Sequence, residues 1–262
     1  MDFFIQRYPL YLEGAWVTVQ LTVGGAALAF VLAMVVGILG TLQNRFARAV
    51  ATVYTEVFRG IAALVLLFWT IYALPELTGY ELDPLFAGIV ALGLNLGAYG
   101  AEVVRASINA VPRAQVEATI ALNMTWWRRM RLVVLPQAWA QMLPTFGNQV
   151  IELMKASAIV SLVGITDLTK VAQDFRASAA ADTFTVFFVA LVLYFLIAQV
   201  LILLVRILER RANRRLGRIP EGGGLLALLR PPSIGTTTGV RARCGTSNSP
   251  RSSSRRCSKG CG

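Results

Sequence analysis

Histidine is missing from this sequence altogether. The chain of 262 residues contains none, which excludes histidine-based acid–base catalysis and histidine metal ligation. The dipeptide Gly-Lys does not occur either, so the phosphate-binding P-loop is excluded. Cys244, Cys257 and Cys261 all lie near the carboxyl terminus, where their spacing, without a histidine, is a weak metal signal. We therefore expect no catalytic residue, no metal site and no cofactor in this chain.

Charged side chains are also scarce. They make up 15% of the sequence, and apolar residues make up 56%, whereas soluble domains have about 25% charged residues. The charges are clumped and leave long uncharged runs. Because about 20 apolar residues cross about 30 Å of hydrocarbon as a helix, we predict an all-α integral membrane protein. The predicted spans are 15–39, 56–75, 85–104, 139–165 and 183–206.

Basic residues give the predicted orientation. With the N-terminus outside, the outer segments hold only Arg7, Lys170 and Arg176. Many more lie in the inner segments: Arg45, Arg48, Arg105, Arg113, Arg128, Arg129, Arg131, Arg206, Arg210, Arg211, Arg214, Arg215 and Arg218. The positive-inside rule thus places the C-terminus in the cytoplasm. Because topology accounts for most of the positive charge outside the carboxyl-terminal segment, we do not expect a nucleic-acid partner.

Three regions follow from this pattern. Residues 1–13 form an extracytoplasmic N-terminus, and residues 14–210 form a transmembrane domain. Residues 219–262 are rich in Gly, Ser, Pro and Arg, a composition that cannot bury enough apolar surface to order itself. We expect this low-complexity tail to be disordered and dispensable.

Polar residues recur at helical spacing inside two of the predicted spans. The fourth span carries Gln141, Thr145, Asn148, Glu152 and Lys155. Their spacing places them on one helical face, as a polar stripe about 21 Å long. The third span carries Asn95, Tyr99 and Glu102, with Arg105 one turn further on.

These two polar sets have two possible interpretations. Ionisable groups at membrane depth are costly and usually face protein or water, so both sets could line a translocation path or a subunit-facing cavity. Alternatively, they form polar contacts between helices. The acid–base pairs Glu56/Arg59, Glu102/Arg105 and Glu152/Lys155 are spaced to pair with themselves. For the first two we favour self-pairing, but the stripe is too long to be explained by one pair, and we predict a path there.

The cytoplasmic segment Gln115–Ala138 carries a resemblance to a known family. Here "EATIALN" is followed by "VVLP", which resembles the E-A-A–x3–G–x9–I-x-L-P loop in membrane subunits of bacterial ATP-binding-cassette (ABC) importers. The matching residues are Glu117, Ala118, Leu135 and Pro136, and the departures are Thr119, Asn123 and Val133. The resemblance implies a coupling loop over residues 112–136, in which a short helix docks into a groove on the cytoplasmic ATPase.

Backbone chemistry is consistent with that loop. The glycine position ends a helix, and Asn123 is the residue best tolerated in the left-handed region after glycine. Pro136 fits the start of a helix. Trp126, Trp127 and the neighbouring arginines suit an amphipathic element at the inner membrane interface.

The resemblance extends over roughly residues 12–212. "EGAWVTVQLT", "YTEVFRG" and "LPQAWAQMLPTFGNQVIELMK" look like the polar amino-acid branch of these permeases, and "AYGAEVVRASINAVPRAQ" is particularly similar to ectoine/hydroxyectoine permeases. That branch has Arg-Gly-Thr-Pro-Leu-Leu where this chain has Arg59 to Leu64 without Thr-Pro. This departure leaves the local bend of the second span open.

The family resemblance implies a type I importer permease of the maltose and methionine permease fold, in the bacterial plasma (inner) membrane. It implies several partners: an ATPase dimer that binds ATP and magnesium, a second permease subunit, an extracytoplasmic solute-binding protein and the lipid bilayer. A self-sufficient channel or secondary transporter is the alternative, but the chain shows no inverted repeat. A membrane enzyme would lack a nucleophile and a base.

Overall fold

The structure is a computed structural model that describes residues 2–42, 44–177 and 183–215, with side chains between 9 and 211. The predicted tail, 219–262, lies outside the described residues. Every regular element in the described part is helical. In chain order the helices are α1 Asp2–Leu39, α2 Arg45–Gly60, α3 Ala63–Phe68, a π-helical turn Trp69–Ala73, α4 Leu74–Thr78, α5 Pro84–Asn109, α6 Arg113–Ala121, α7 Trp126–Arg129, a second π-helical turn Met130–Val134, α8 Leu135–Ala156, a 3-10 helix Ser157–Val163, α9 Leu168–Ala177 and α10 Thr183–Arg215.

Three of these helices are long and apolar enough to cross a membrane as single helices: Pro9–Leu39, Pro84–Asn109 and Thr183–Arg211. Two bent pairs bring the number of spans in the described residues up to the predicted 5, if each pair is one span. The first helix is longer than predicted. It begins at Asp2 instead of residue 15 and continues through Pro9 and Gly14, the two residues of this stretch that disfavour a helix most.

The second span is broken, which corrects the single helix predicted over 56–75. Helix α2 ends at Gly60, and Ile61 and Ala62 are extended. The segments Arg45–Gly60 and Ala63–Thr78 meet at 99°. The bend is therefore present without the family's Thr-Pro pair, at a glycine followed by a β-branched residue, both weak helix formers.

The fourth span runs from Trp126 through α7, the second π turn, α8 and the 3-10 helix to Val163. Helix α8 begins with Pro136 in its first turn, as predicted, but the chain enters it directly from the π turn. A proline has no N–H to donate to the preceding turn, and a π bulge is a common way to accommodate such a lost bond. Gly164 then takes a left-handed conformation, with φ 87°.

The core is centred on α1 and α5. Leu21, Leu92 and Leu153 are buried together where α1, α5 and α8 meet. Glycines allow α1 and α5 to approach closely, since a Cβ on Gly93 would lie 2.7 Å from the side chain of Leu28. Such close approach is what small residues spaced four apart, here Gly93 and Gly97, allow between membrane helices.

Candidate functional site

Helix α6, which lies in the loop between α5 and α8, ends at the turn around Asn123 as the sequence predicts. Asn123 has φ 56°, which places it in the left-handed region. The N–H of Asn123 donates to the Ile120 carbonyl at 2.8 Å, and that of Met124 donates to the Thr119 carbonyl at 3.1 Å. These two bonds form a Schellman motif. The tolerance of Asn for this conformation explains why the chain keeps the turn without the family's glycine.

The short helix α6 is exposed over most of its surface. Glu117 and Ala118 are exposed, and Ile120 and Leu122 are 57% and 75% exposed. Thr119 is buried instead, and its hydroxyl donates to the Val116 carbonyl at 2.6 Å. Among the predicted coupling residues, Thr119 therefore orders the helix from inside and offers no surface to a partner.

The end of the loop is placed at the start of α8. Leu135 is half-buried there, and Pro136 is exposed in the first turn. The two family-matching residues at this end of the loop thus lie where the chain enters the fourth span.

The predicted stripe on α8 faces away from the described core. Gln141 is half-buried, and Thr145, Asn148, Glu152 and Lys155 are exposed. Met142, Leu153 and Met154 fill the opposite, buried face. Among the described residues neither Glu152 nor Lys155 has an ion-pair partner, so the self-paired arrangement is absent from this end of the stripe.

Asn95 and Tyr99 of α5 contact the break in the second span. The Asn95 amide donates to the carbonyl oxygens of Phe58 and Ile61, at 2.8 and 3.1 Å. The Tyr99 hydroxyl donates to the Arg59 carbonyl at 3.4 Å. The Arg59 guanidinium carbon lies 5.4 Å from the centre of the Tyr99 ring, within cation–π range. These side chains satisfy carbonyls that a helix end leaves without partners.

A cavity of about 400 Å³ opens at this break. Asn95, Tyr99, Arg59 and Glu152 line it together, so two predicted path residues of α5 meet one from α8. The described lining of this cavity includes none of the other predicted stripe residues, which are Gln141, Thr145, Asn148 and Lys155. With a carboxylate and a guanidinium in its wall, the cavity can offer both signs of charge to a small zwitterion.

Glu102 lies elsewhere. Its carboxylate accepts a hydrogen bond from Arg105 Nε at 3.0 Å, which is the self-paired arrangement predicted for this pair. The same prediction is wrong for Glu56 and Arg59, which form no ion pair among the described residues. Both residues border a second cavity of about 390 Å³, between the ends of α1, α2 and α5, together with Arg48 and Glu56. Glu102 therefore lines a different cavity from Asn95 and Tyr99.

A buried acid, Asp167, is absent from the sequence-based site. It is fully buried at the start of α9, where Oδ1 accepts the Lys170 N–H at 2.9 Å and Oδ2 accepts the Tyr194 hydroxyl at 3.1 Å. Burial raises the pKa of Asp167, and these hydrogen bonds oppose the rise. The group joins α9 to α10. Asp followed by a helical segment is an N-cap signal, which the sequence displays.

Comparison with known proteins identifies the family. The model for the "binding-protein-dependent transport system inner membrane component" matches residues 25–214. The chain belongs to this family. It is thus a multi-pass membrane component of a transport system and not an enzyme, and the family assignment disfavours a self-sufficient channel or secondary transporter.

Relatives and solved structures agree with this family. A probable amino-acid ABC transporter permease of Sinorhizobium fredii is 41% identical over 207 residues, 77% of this chain and 87% of that protein. The arginine transport system permease of Bacillus subtilis is 33% identical over 81% of this chain and 94% of that protein.

The fold is also that of solved ABC transporters. The crystal structure of an amino acid ABC transporter with histidines has a TM-score of 0.72 and 34% identity, over 79% of this chain and 96% of that one. The inward-facing MetNI methionine transporter, at 24% identity and a TM-score of 0.66 over 78% of this chain and 96% of that one, shares the fold. These likenesses confirm the predicted type I importer permease fold.

Proposed function

We propose that this chain is the permease subunit through which a polar amino acid, or a derivative of one, enters the cytoplasm. The observation that carries the proposal is the cavity in which Glu152 and Arg59 lie with Asn95 and Tyr99. A zwitterion needs both signs of charge close together, and pockets of about 300–1,000 Å³ suit small molecules.

The polar stripe supplies the rest of the proposed path. Thr145, Asn148 and Lys155 are exposed on the same face of α8 as Glu152, and exposed ionisable groups at membrane depth require water or protein against them. A second permease subunit, either another copy or a sister chain, therefore faces this stripe and completes the path.

Energy in this proposal comes from a separate ATPase dimer that binds ATP and magnesium. Helix α6 and the turn that follows it dock on that ATPase through exposed side chains, which include Glu117, Ile120 and Leu122. An extracytoplasmic solute-binding protein delivers the solute to the opposite side. The orientation with the N-terminus outside and the C-terminus in the cytoplasm follows from the positive-inside rule.

The solute class is narrowed by the relatives. The Bacillus subtilis relative is named as an arginine permease, which supports an amino acid as the solute of this chain. The ectoine or hydroxyectoine assignment stays a prediction, which rests on the likeness of "AYGAEVVRASINAVPRAQ" and "EATIALNM", residues 98–115 and 117–124, to those permeases.

Uptake by the complete transporter, reconstituted in vesicles with its ATPase and binding protein, tests the solute. Arginine, glutamine, cystine and ectoine are offered in turn. We expect ATP-dependent uptake of at least one, and strong loss in Glu152→Gln with unchanged ATPase binding. The control Glu76→Gln removes an exposed charge on α4. Uptake that continues without ATP would reject the proposal. So would the absence of uptake of every polar solute offered.

Coupling is tested separately by charge reversal on α6. Glu117→Lys should leave the complex in the membrane but uncouple ATP hydrolysis from uptake, whereas Glu117→Ala, which removes the charge without reversing it, should uncouple less. Normal uptake by Glu117→Lys would show that α6 is not the coupling contact.

A further inference from the structure

A basic and apolar hollow lies at the first turns of the fourth span, beyond the coupling helix. A cavity of about 610 Å³ is lined there by Thr125, Trp127, Arg128, Arg131 and Leu132. Thr125 is the N-cap of α7, and the other four residues belong to α7 and the π turn that follows it. We propose that this hollow binds the headgroup of an anionic phospholipid from the inner leaflet, and the inference rests on the proposed orientation.

The two arginines of the hollow form no ion pair with a carboxylate of the described residues. Arg128 and Arg131 are both exposed, and neither has an ion-pair partner among the described residues. Both line the same hollow, so they lie on one side of this helical segment. Two guanidinium groups that converge on one hollow match the planar, bidentate recognition of a phosphate.

The apolar residues beside them indicate that the phosphate belongs to a lipid. Trp127 is 72% exposed and Leu132 is 62% exposed, on the side of the helix opposite the buried Met130 and Val134. A free phosphate has no apolar surface to pack against these side chains, whereas a phospholipid can cover them with its glycerol region and acyl chains. Tryptophan is enriched at that depth of a bilayer.

The position of the hollow favours lipid over the ATPase. Helix α6, which carries the coupling residues, ends at the Schellman turn around Asn123. The hollow lies after that turn, at the start of the helical segment Trp126–Val163, which together with Leu168–Ala177 forms a candidate bent span. The first turns of a span lie at the boundary between water and hydrocarbon, and anionic lipids give the cytoplasmic leaflet its negative charge.

Native mass spectrometry of the purified full chain in detergent tests the site, with phosphatidylglycerol or phosphatidylcholine added. We expect the chain to retain phosphatidylglycerol about tenfold better than phosphatidylcholine, since charge-assisted bidentate bonds are the strong ones. Arg128→Gln with Arg131→Gln should abolish this preference. The matched control is Arg210→Gln with Arg211→Gln, which removes the same charge from exposed positions of α10 and should keep it.

Further arms separate the possible occupants. Arg128→Lys with Arg131→Lys keeps the charge but loses the guanidinium fork, so retention should fall only part of the way. Trp127→Ala with Leu132→Ala should also weaken retention. Inorganic phosphate or glycerol 3-phosphate that competes as well as the lipid would overturn the proposal, as would displacement of the lipid by added ATPase.

The lipid site and the proposed transport function fail in different ways. Gel filtration first shows that the variant with glutamine at Arg128 and Arg131 is folded. If this variant then retains phosphatidylglycerol as well as the wild type does, the lipid site is rejected, even if uptake is normal. Retained phosphatidylglycerol preference in a chain that supports no uptake would reject the transport function alone.

Discussion

The side chain of Asn95 caps the peptide of Phe58, a residue 37 positions earlier, with a hydrogen bond of 2.8 Å. This contact and the bond to the Ile61 carbonyl hold the break of the second span in place. The polar residue therefore has a structural role at the wall of the cavity that it lines, beside any contact with solute.

Replacing Asn95 by leucine should lower the melting temperature of the purified chain in detergent. The substitution keeps the size of the side chain but leaves two carbonyl groups without their donor, at about 1–3 kcal/mol each. Asn148→Leu is the matched control, because Asn148 is exposed and has no hydrogen bond among the described residues. Equal melting shifts for both variants would show that the cap does not stabilise the break.

Asn123 should tolerate glycine and reject valine. A residue with a Cβ pays about 1–2 kcal/mol in the left-handed conformation, and a β-branched residue has the least room there. We expect Asn123→Gly to melt at or above the wild-type temperature and Asn123→Val to melt lower and to transport less. The same ranking is expected in ATP-dependent uptake, and a valine variant as active as glycine would contradict it.

Gly37→Ala should destabilise the packing of α1 on α5. A Cβ there would lie 2.6 Å from Val104 Cβ and 2.8 Å from the Ala101 carbonyl oxygen, and overpacking of this kind costs about 1–3 kcal/mol. Gly60→Ala is the control, since nothing lies within 4 Å of its Cβ position. Thermal melts of the two variants, measured side by side, should separate them.

Asp167→Asn should change how stability depends on pH. Because burial raises the pKa of Asp167, the folded state holds the proton more tightly than the unfolded state does. The contribution of this group is therefore most favourable below its unfolded pKa of about 3.9 and falls as pH rises through the raised folded pKa.

The asparagine variant lacks this dependence, so its melting temperature should gain on the wild type as pH increases from 4 to 7. The comparison is made by thermal melts in detergent across that pH range. A constant difference between the two proteins would show that the folded pKa is not raised.

Local signals made much of the fold predictable. The length of an uncharged run determines whether a helix can span the bilayer, and the chirality of the backbone determines which residues accept the turn at Asn123. Both depend on residues that are close in sequence. For that reason the number of spans, with each bent pair counted as one, and the helix end at Asn123 were predictable, whereas the break in the second span was not.

Contacts between distant residues were not predictable in the same way. The 99° bend is stabilised by hydrogen bonds from the Asn95 side chain. The sequence between Arg59 and Leu64 contains no proline that would have predicted it. The stripe residues and those of α5 share a helical pattern, yet only the fold shows that Glu152 meets Asn95 while Glu102 pairs with Arg105. Asp167 is different, because its N-cap pattern before α9 was readable.

The exposed stripe of α8 also has a consequence for how much of the protein a cell keeps. If a second permease subunit covers this stripe, as proposed, a copy without it would present the carboxylate of Glu152 and the ammonium of Lys155 to acyl chains, where charges are strongly disfavoured. We expect such unassembled copies to be unstable in the bilayer. The scarcer subunit would then set the level of the whole transporter, and overproduction of this chain alone would yield little additional protein.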